Sequence, residues 1–114
     1  MHELSIAMSI LDIAAEEAQR LKAPVRAIHL RLGPLSGVVS TALESAFGLA
    51  RETTSLAACE LVIENVPVVV YCETCRENRA ARSLELMVCD RCGTECRSLV
   101  TGRELEIVGM EIEE

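Results

Sequence analysis

Apolar residues between Leu4 and Lys22 fall at 4, 7, 8, 11, 14, 15 and 18, the i, i+3, i+4, i+7 spacing of an amphipathic helix. Ile6, Ile10 and Ile13 widen the stripe, and Asp12, Glu16, Glu17, Gln19 and Arg20 make the wet face. Pro24 stops the helix. Its start falls near residue 3, which leaves Met1 and His2 as its lead-in. Residues 25–32, VRAIHLRL, alternate as a strand, with Arg26, Ile28, Leu30 and Leu32 on one face and Ala27, His29 and Arg31 on the other. GPLSG at 33–37 reads as a turn. Residues 38–51 read as a second helix that buries Val39, Ala42, Leu43, Ala46, Phe47 and Ala50. ELVIENV at 60–66 is a second strand, ended by Pro67. After Gly102 the run RELEIVGMEIEE is a third strand, too short to fold alone and expected to pair with the other two.

Between the second and third strands the chain reads PVVVYCETC, then a polar Arg-rich loop, then LELMVCDRCG and TECRSLV. Short strands around paired cysteines are the layout of a zinc ribbon. The expected fold is therefore α/β: a small three-stranded sheet with two helices, plus an inserted zinc-ribbon-like domain with four cysteine ligands. Residues 1–66 and 102–114 would form the α/β domain, and 67–101 the insertion.

Composition adds three constraints. The chain has 114 residues, with Tyr71 and Phe47 as its aromatic residues, so its core is aliphatic and small, and a further staple is expected. A net charge of −7 argues against nucleic acid, whose phosphates call for excess Lys and Arg. No run approaches the ~18 apolar residues of a membrane span, and the N-terminus lacks the basic and apolar regions of a secretion signal. A cytoplasmic protein is expected, and six cysteines in a reducing compartment point to metal rather than disulfides.

Cys72-x-x-Cys75 and Cys89-x-x-Cys92 are thirteen residues apart. Zinc takes four thiolates in a tetrahedron. Two residues between cysteines let one tight turn aim both sulfurs at one ion, and the intervening hairpin brings the second pair opposite the first. Gly93 follows the second pair, where a positive φ closes the turn. Arg76 stands at that place after the first pair, so the first turn is expected to close differently. Iron in a rubredoxin-like site would use the same ligands. Cys96 is left as a spare thiol and Cys59 as a small core residue. Arg76, Arg79, Arg82, Arg91 and Arg97 crowd the module; they either offset the negative charge of a tetrathiolate centre or are solvated.

The opening Met1-His2-Glu3 offers a second metal chemistry. A free α-amine and the amide of residue 2 close a five-membered ring on one ion, and that amide and the imidazole close a six-membered one. Planar nitrogen-rich coordination suits Ni(II) or Cu(II), and the amide or carboxylate of Glu3 would complete the set. Against this stand a chance histidine at a chain end and a glutamate that meets the helix dipole. His29 is expected at the surface, opposite the Ile28 and Leu30 face.

MHELSI at 1–6, LRLGPLSGV at 30–38, ESAF at 44–47, LVIENVP at 61–67, the two cysteine pairs and the GRELEI…EIE tail follow one another over essentially the whole chain. In this order they resemble the HypA/HybF family, nickel metallochaperones of nickel–iron hydrogenase maturation. The resemblance implies a nickel-binding α/β domain interrupted by a zinc domain. His2 would be the essential Ni(II) ligand, assisted by the Met1 amine and the Glu3 region, and Cys72, Cys75, Cys89 and Cys92 would hold structural Zn(II). It also implies work with a nickel-handling GTPase and delivery of Ni(II), as transient cargo, to the hydrogenase large subunit, and in some organisms service to urease. One departure is that Val38-Val39-Ser40 carries no carboxylate, where some relatives have an acidic residue nearby. Whether the chain forms a homodimer is left open by the sequence.

No Ser-His-Asp set, paired catalytic acids or glycine-rich phosphate loop is present, so the chain is expected to deliver metal rather than catalyse. Two alternatives make contrary demands. A zinc-ribbon module of transcription or translation requires nucleic-acid affinity with a steep salt slope. A rubredoxin-like electron carrier requires a red iron protein with a one-electron couple.

Overall fold

The computed structural model describes residues 3–113. In chain order the elements are α1 (Glu3–Leu21), β1 (Val25–Leu32), a 3₁₀ turn (Pro34–Ser36), α2 (Ser40–Ala50), a 3₁₀ turn (Arg51–Thr53), β2 (Glu60–Asn65), β3 (Val69–Cys72), β4 (Glu77–Ala80), β5 (Ser98–Thr101) and β6 (Leu105–Ile112). They form two three-stranded sheets, β2-β1-β6 and β4-β3-β5. The C-terminal strand returns to the sheet as expected but pairs with β1 alone, because β1 lies between it and β2. The chain divides into two compact units, residues 1–31, 37–64 and 106–114 in the first and 32–36 and 65–105 in the second. No helix among the described residues is long and apolar enough to cross a membrane.

In the first unit, α1 buries Ile6, Ala7, Ile10, Leu11 and Ala14, α2 buries Leu43 and Phe47, and β1 buries Val25, Ala27, Ile28 and Leu30. The arc of α1 that faces inward differs from the expected one. Leu4 and Met8 are exposed, at 49% and 54%. Apolar side chains cover most of the circumference of α1, and the helix can press only one arc on its neighbours. α2 begins at Ser40 rather than residue 38, with Val39 as its N-cap. Val38 is buried there, while Val39 is 58% exposed. α1 ends at an unusual place: Lys22 has φ +54, the N–H of Ala23 donates to the carbonyl of Ala18, and that of Lys22 donates to Gln19. This is a Schellman stop with lysine where glycine is usual.

The polar residues of β1 are tied across the sheet. Arg31 donates from Nε to Glu64 at 3.1 Å and from Nη1 to Glu106 at 3.3 Å, so one guanidinium spans all three strands. His29, half-exposed as expected, sits 2.7 Å from Glu111. Such exposed pairs contribute at most about 1 kcal/mol each; they favour one strand register over a slipped one.

In the second unit β3 is central and antiparallel to both neighbours, with Tyr71 opposite Asn78 and Ser98. β4, Glu-Asn-Arg-Ala, lies in the stretch expected to be a polar loop. It has no apolar alternation, and pairing with β3 alone makes it a strand. GPLSG is built into this unit by backbone bonds: the N–H of Gly33 donates to the carbonyl of Glu104 at 2.8 Å, and that of Leu35 to Gly102 at 2.7 Å. A Cβ on Gly33 would lie 2.2 Å from the carbonyl carbon and oxygen of Gly102. Gly102 itself has φ +131 and backs onto Val68.

Two substitutions separate these effects. Gly33→Ala drives a methyl into backbone that has nowhere to go and is expected to cost at least about 3 kcal/mol, read as a lowered urea midpoint. Lys22→Gly relieves a left-handed lysine without loss of a buried contact and is expected to raise stability by about 1 kcal/mol in the same assay.

Candidate metal centre

Each cysteine pair sits on a tight turn. The first begins at the end of β3 and the second follows isolated bridges between Ala81 and Cys89 and between Val88 and Glu95. The N–H of Cys75 donates to Sγ of Cys72 at 3.3 Å, and that of Arg91 to Sγ of Cys89 at 3.4 Å. The bond from Arg91 favours the thiolate of Cys89 over its thiol. The residue after each pair is left-handed, φ +56 at Arg76 and +74 at Gly93. The first turn thus closes in the same way as the second, contrary to expectation. The need to aim two sulfurs inward imposes the same backbone, and arginine bears the steric cost that glycine avoids at the other turn.

The four sulfurs all lie within 4.8 Å of one another. Cys72 and Cys92 are 3.5 Å apart, and Cys75 and Cys89 are 3.9 Å apart. Four sulfurs at zinc's ~2.3 Å bond length span tetrahedral edges of about 3.8 Å. The same distances are far too long for disulfides, whose bond is about 2.05 Å, and all six cysteines are free thiols. The residues present therefore fit a tetrahedral thiolate-bound ion, and all four positions of that tetrahedron come from protein. A closed set of this kind supplies structure and leaves no place for a substrate.

The sulfurs are electrostatically unequal. Hydrogen bonds from the Thr94 hydroxyl and backbone hold Cys92 down to about 6. Burial first, then the neighbouring thiols, push Cys75 up to about 12. Burial opposes ionisation of Cys89, but the backbone N–H groups of Cys92 and Arg91 outweigh it and lower its pKa. Arg79 bonds Asp90 at 3.1 Å and pairs with Glu77 at 3.5 Å, while Arg91 shares Glu77 at 3.8 Å. Burial opposes the charge of Arg79, but Asp90 and then Cys89 favour it and raise its pKa.

Cys96 remains outside the four-sulfur set. It is buried beside Cys72, Cys89 and Val70, and its thiol donates to the carbonyl of Thr94 at 3.3 Å. Cys59 is 1% exposed and belongs to the core of the first unit, as expected. Of the N-terminal candidates, Met1 and His2 lie outside the described residues. Glu3 opens α1, and its Oε2 accepts a hydrogen bond from the N–H of Val39 at 3.3 Å. That contact escaped sequence reasoning, because nothing local links residue 3 to residue 39.

Fold and site define a protein of one class: a small α/β unit and a ribbon whose four cysteines form a closed structural zinc site. Residues 1–112 match the family described as "Hydrogenase/urease nickel incorporation, metallochaperone, hypA". The chain is 47% identical over 115 residues to a hydrogenase maturation factor HypA from Roseiflexus, covering all of this chain and 94% of that one. It is 46% identical over 112 residues to that of Chloroflexus aurantiacus, covering 97% and 98%. The solved nickel metallochaperone HypA of Helicobacter pylori shares the fold, with a TM-score of 0.64 at 24% identity over 98% of this chain and 97% of that one. The chain belongs to the HypA family. It is a nickel metallochaperone of hydrogenase maturation, not an enzyme, with zinc as its structural ion and Ni(II) as its transient cargo.

Purified protein is expected to carry one zinc per chain by elemental analysis and no iron colour. Cys89→Ser, or stripping by a strong chelator, should abolish near-stoichiometric zinc and unfold the second unit, seen as lost amide protection at Val70, Tyr71 and Leu99. Zinc affinity should fall with falling pH, because protons compete for every thiolate. Retained protection in the metal-free protein would mean that the cysteines are not the unit's main support.

Proposed function

We propose that Ni(II) is bound at the head of α1 by the Met1 amine, the amide and imidazole of His2, and Glu3. Residues 1–66 and 102–114 carry this site, and 67–101 carry zinc. The observation that supports this reading is the anchoring of the helix start. Glu3 is not a frayed end: its carboxylate takes the N–H of Val39, at the beginning of α2. A chelate built on residues 1–3 is thereby joined to an ordered helix, which lowers the entropy lost when an ion is bound. With one carboxylate oxygen engaged by Val39, the amide of Glu3 is the better-placed donor to complete a nitrogen-rich, planar set suited to Ni(II).

Delivery then follows from the chemistry. The site is open and its donors are few, so a competing ligand set strips the ion stepwise, while the closed thiolate site keeps its own. The acceptor is the hydrogenase large subunit and the helper a nickel-handling GTPase, both in the cytoplasm; urease is a second client where one is present.

Calorimetric titration of Ni(II) into tagless, zinc-loaded protein tests this. Wild type should bind near one equivalent, His2→Ala should lose it, and Glu3→Gln should weaken it by less. Affinity should hold above the imidazole pKa of about 6.5 and fall as pH drops through it, because a protonated ring cannot ligate. Equal binding by wild type and His2→Ala, or a flat pH profile, would place nickel elsewhere.

A further inference from the structure

The four sulfurs that fit a metal are not equally reachable. Among the described residues Cys92 is the one exposed cysteine, while Cys72 and Cys89 are buried and Cys75 is half-buried. The sulfur of Cys92 lies 3.5 Å from that of Cys72, twenty positions away on the other turn. The second contact between the turns, Cys75 to Cys89, is longer, at 3.9 Å. Cys92 also stands at a polar corner: Oγ1 of Thr94 is 3.0 Å from its sulfur and 3.0 Å from Oγ1 of Thr74. A thiolate keeps lone pairs that attack electrophiles, and its susceptibility follows its exposure. One exposed sulfur beside a buried one is the arrangement of an attacking and a resolving cysteine.

We infer that the thiolate centre is a redox latch, which a hydroperoxide closes as a disulfide between Cys92 and Cys72. The thiolate of Cys92 attacks one peroxide oxygen. The O–O bond breaks, Cys92 becomes a sulfenic acid, and the departing oxygen takes a proton from water. The thiolate of Cys72 then attacks the sulfur of Cys92. The S–S bond forms, the S–O bond breaks, and the hydroxide that leaves is protonated by water. The two sulfurs together lose two electrons, and the peroxide gains them. The sulfurs close from 3.5 Å to a bond of about 2.05 Å. Cys92 is exposed and supplies the movement, while Cys72 stays in its buried cluster with Val70 and Cys89. Loss of two of four donors opens the closed set and frees the zinc. The new bond joins the two turns, whereas a bond within either Cys-x-x-Cys pair would leave them untied. The latch therefore releases zinc without letting the turns separate, and added thiols reverse it by exchange. Cys59 and Cys96, both buried, take no part.

The test treats the full zinc-loaded chain with hydrogen peroxide and follows released zinc with a chromogenic chelator, against a sample without peroxide. Free thiols are then blocked, and peptide mass spectrometry locates the disulfide. The expected result is one zinc released per disulfide, with the bond between Cys72 and Cys92. Cys96→Ser should release zinc at the wild-type rate. Thr94→Val keeps all four sulfurs but removes the hydroxyl that donates to the Cys92 thiolate and damps its attack, so it should release zinc severalfold faster. Amide protection at Val70 and Tyr71 should survive oxidation and be lost when the reduced protein is stripped by a chelator. Dithiothreitol and zinc together should restore the starting protein. A disulfide within either pair, or one that includes Cys96, would overturn the proposal. Zinc retained under peroxide that oxidises the stripped chain would do the same. An unchanged rate in Thr94→Val would show that Cys92 is not the sulfur attacked first, and the latch as drawn would fail.

Discussion

The convergence of four sulfurs within 4.8 Å is the constraint on which the second unit depends. Its three strands have four residues each, it buries Leu32, Val66 and Val68, and the buried cluster around its sulfurs is Val70, Cys72, Cys89 and Cys96. Three of those four are cysteines, two of them in the four-sulfur set. So small an apolar core cannot offset the chain entropy of some forty residues, and metal–thiolate bonds supply the missing free energy. Local oddities follow from it. Arginine adopts a left-handed conformation at 76, amides turn toward sulfur, and a polar tetrapeptide becomes β4, because each is needed to bring two turns face to face.

The first unit is held together differently. A continuous aliphatic core with Phe47 joins α1, α2 and β1, and no metal is required. Its polar contacts act at the edges: Arg31 clamps three strands, and Glu3 ties the start of α1 to the start of α2. Under the proposed nickel site the Glu3 contact bears on function, because it fixes the start of the helix on which that site would sit. The contrast suits the two roles. A closed thiolate tetrahedron exchanges its ion slowly and belongs in a scaffold, whereas the open nitrogen chelate proposed for the head of α1 would be loaded and stripped.

Much of this was legible in order along the chain. Periodicity marks both helices, alternation marks β1, and apolar runs mark β2 and β6, because these signals arise from burial of one face of a regular element. The cysteine spacing singles out four metal ligands without coordinates, since CxxC is a local geometric device repeated at hairpin distance. The resemblance of MHELSI and LRLGPLSGV to a nickel-chaperone family is likewise a property of the string.

Tertiary structure alone decided what depends on residues far apart. Too many apolar positions ring α1 for the sequence to say which arc is buried, and only packing by α2 leaves Leu4 and Met8 outside beside Leu49. Gly33 reads as part of a turn, yet its necessity comes from the carbonyl of Gly102. Glu3 reads as a helix-dipole residue or a ligand, and only the fold brings it to Val39. Local pattern determines what an element is and which ions its side chains prefer. Which face it turns inward, and what it touches there, are settled by contacts across dozens of residues.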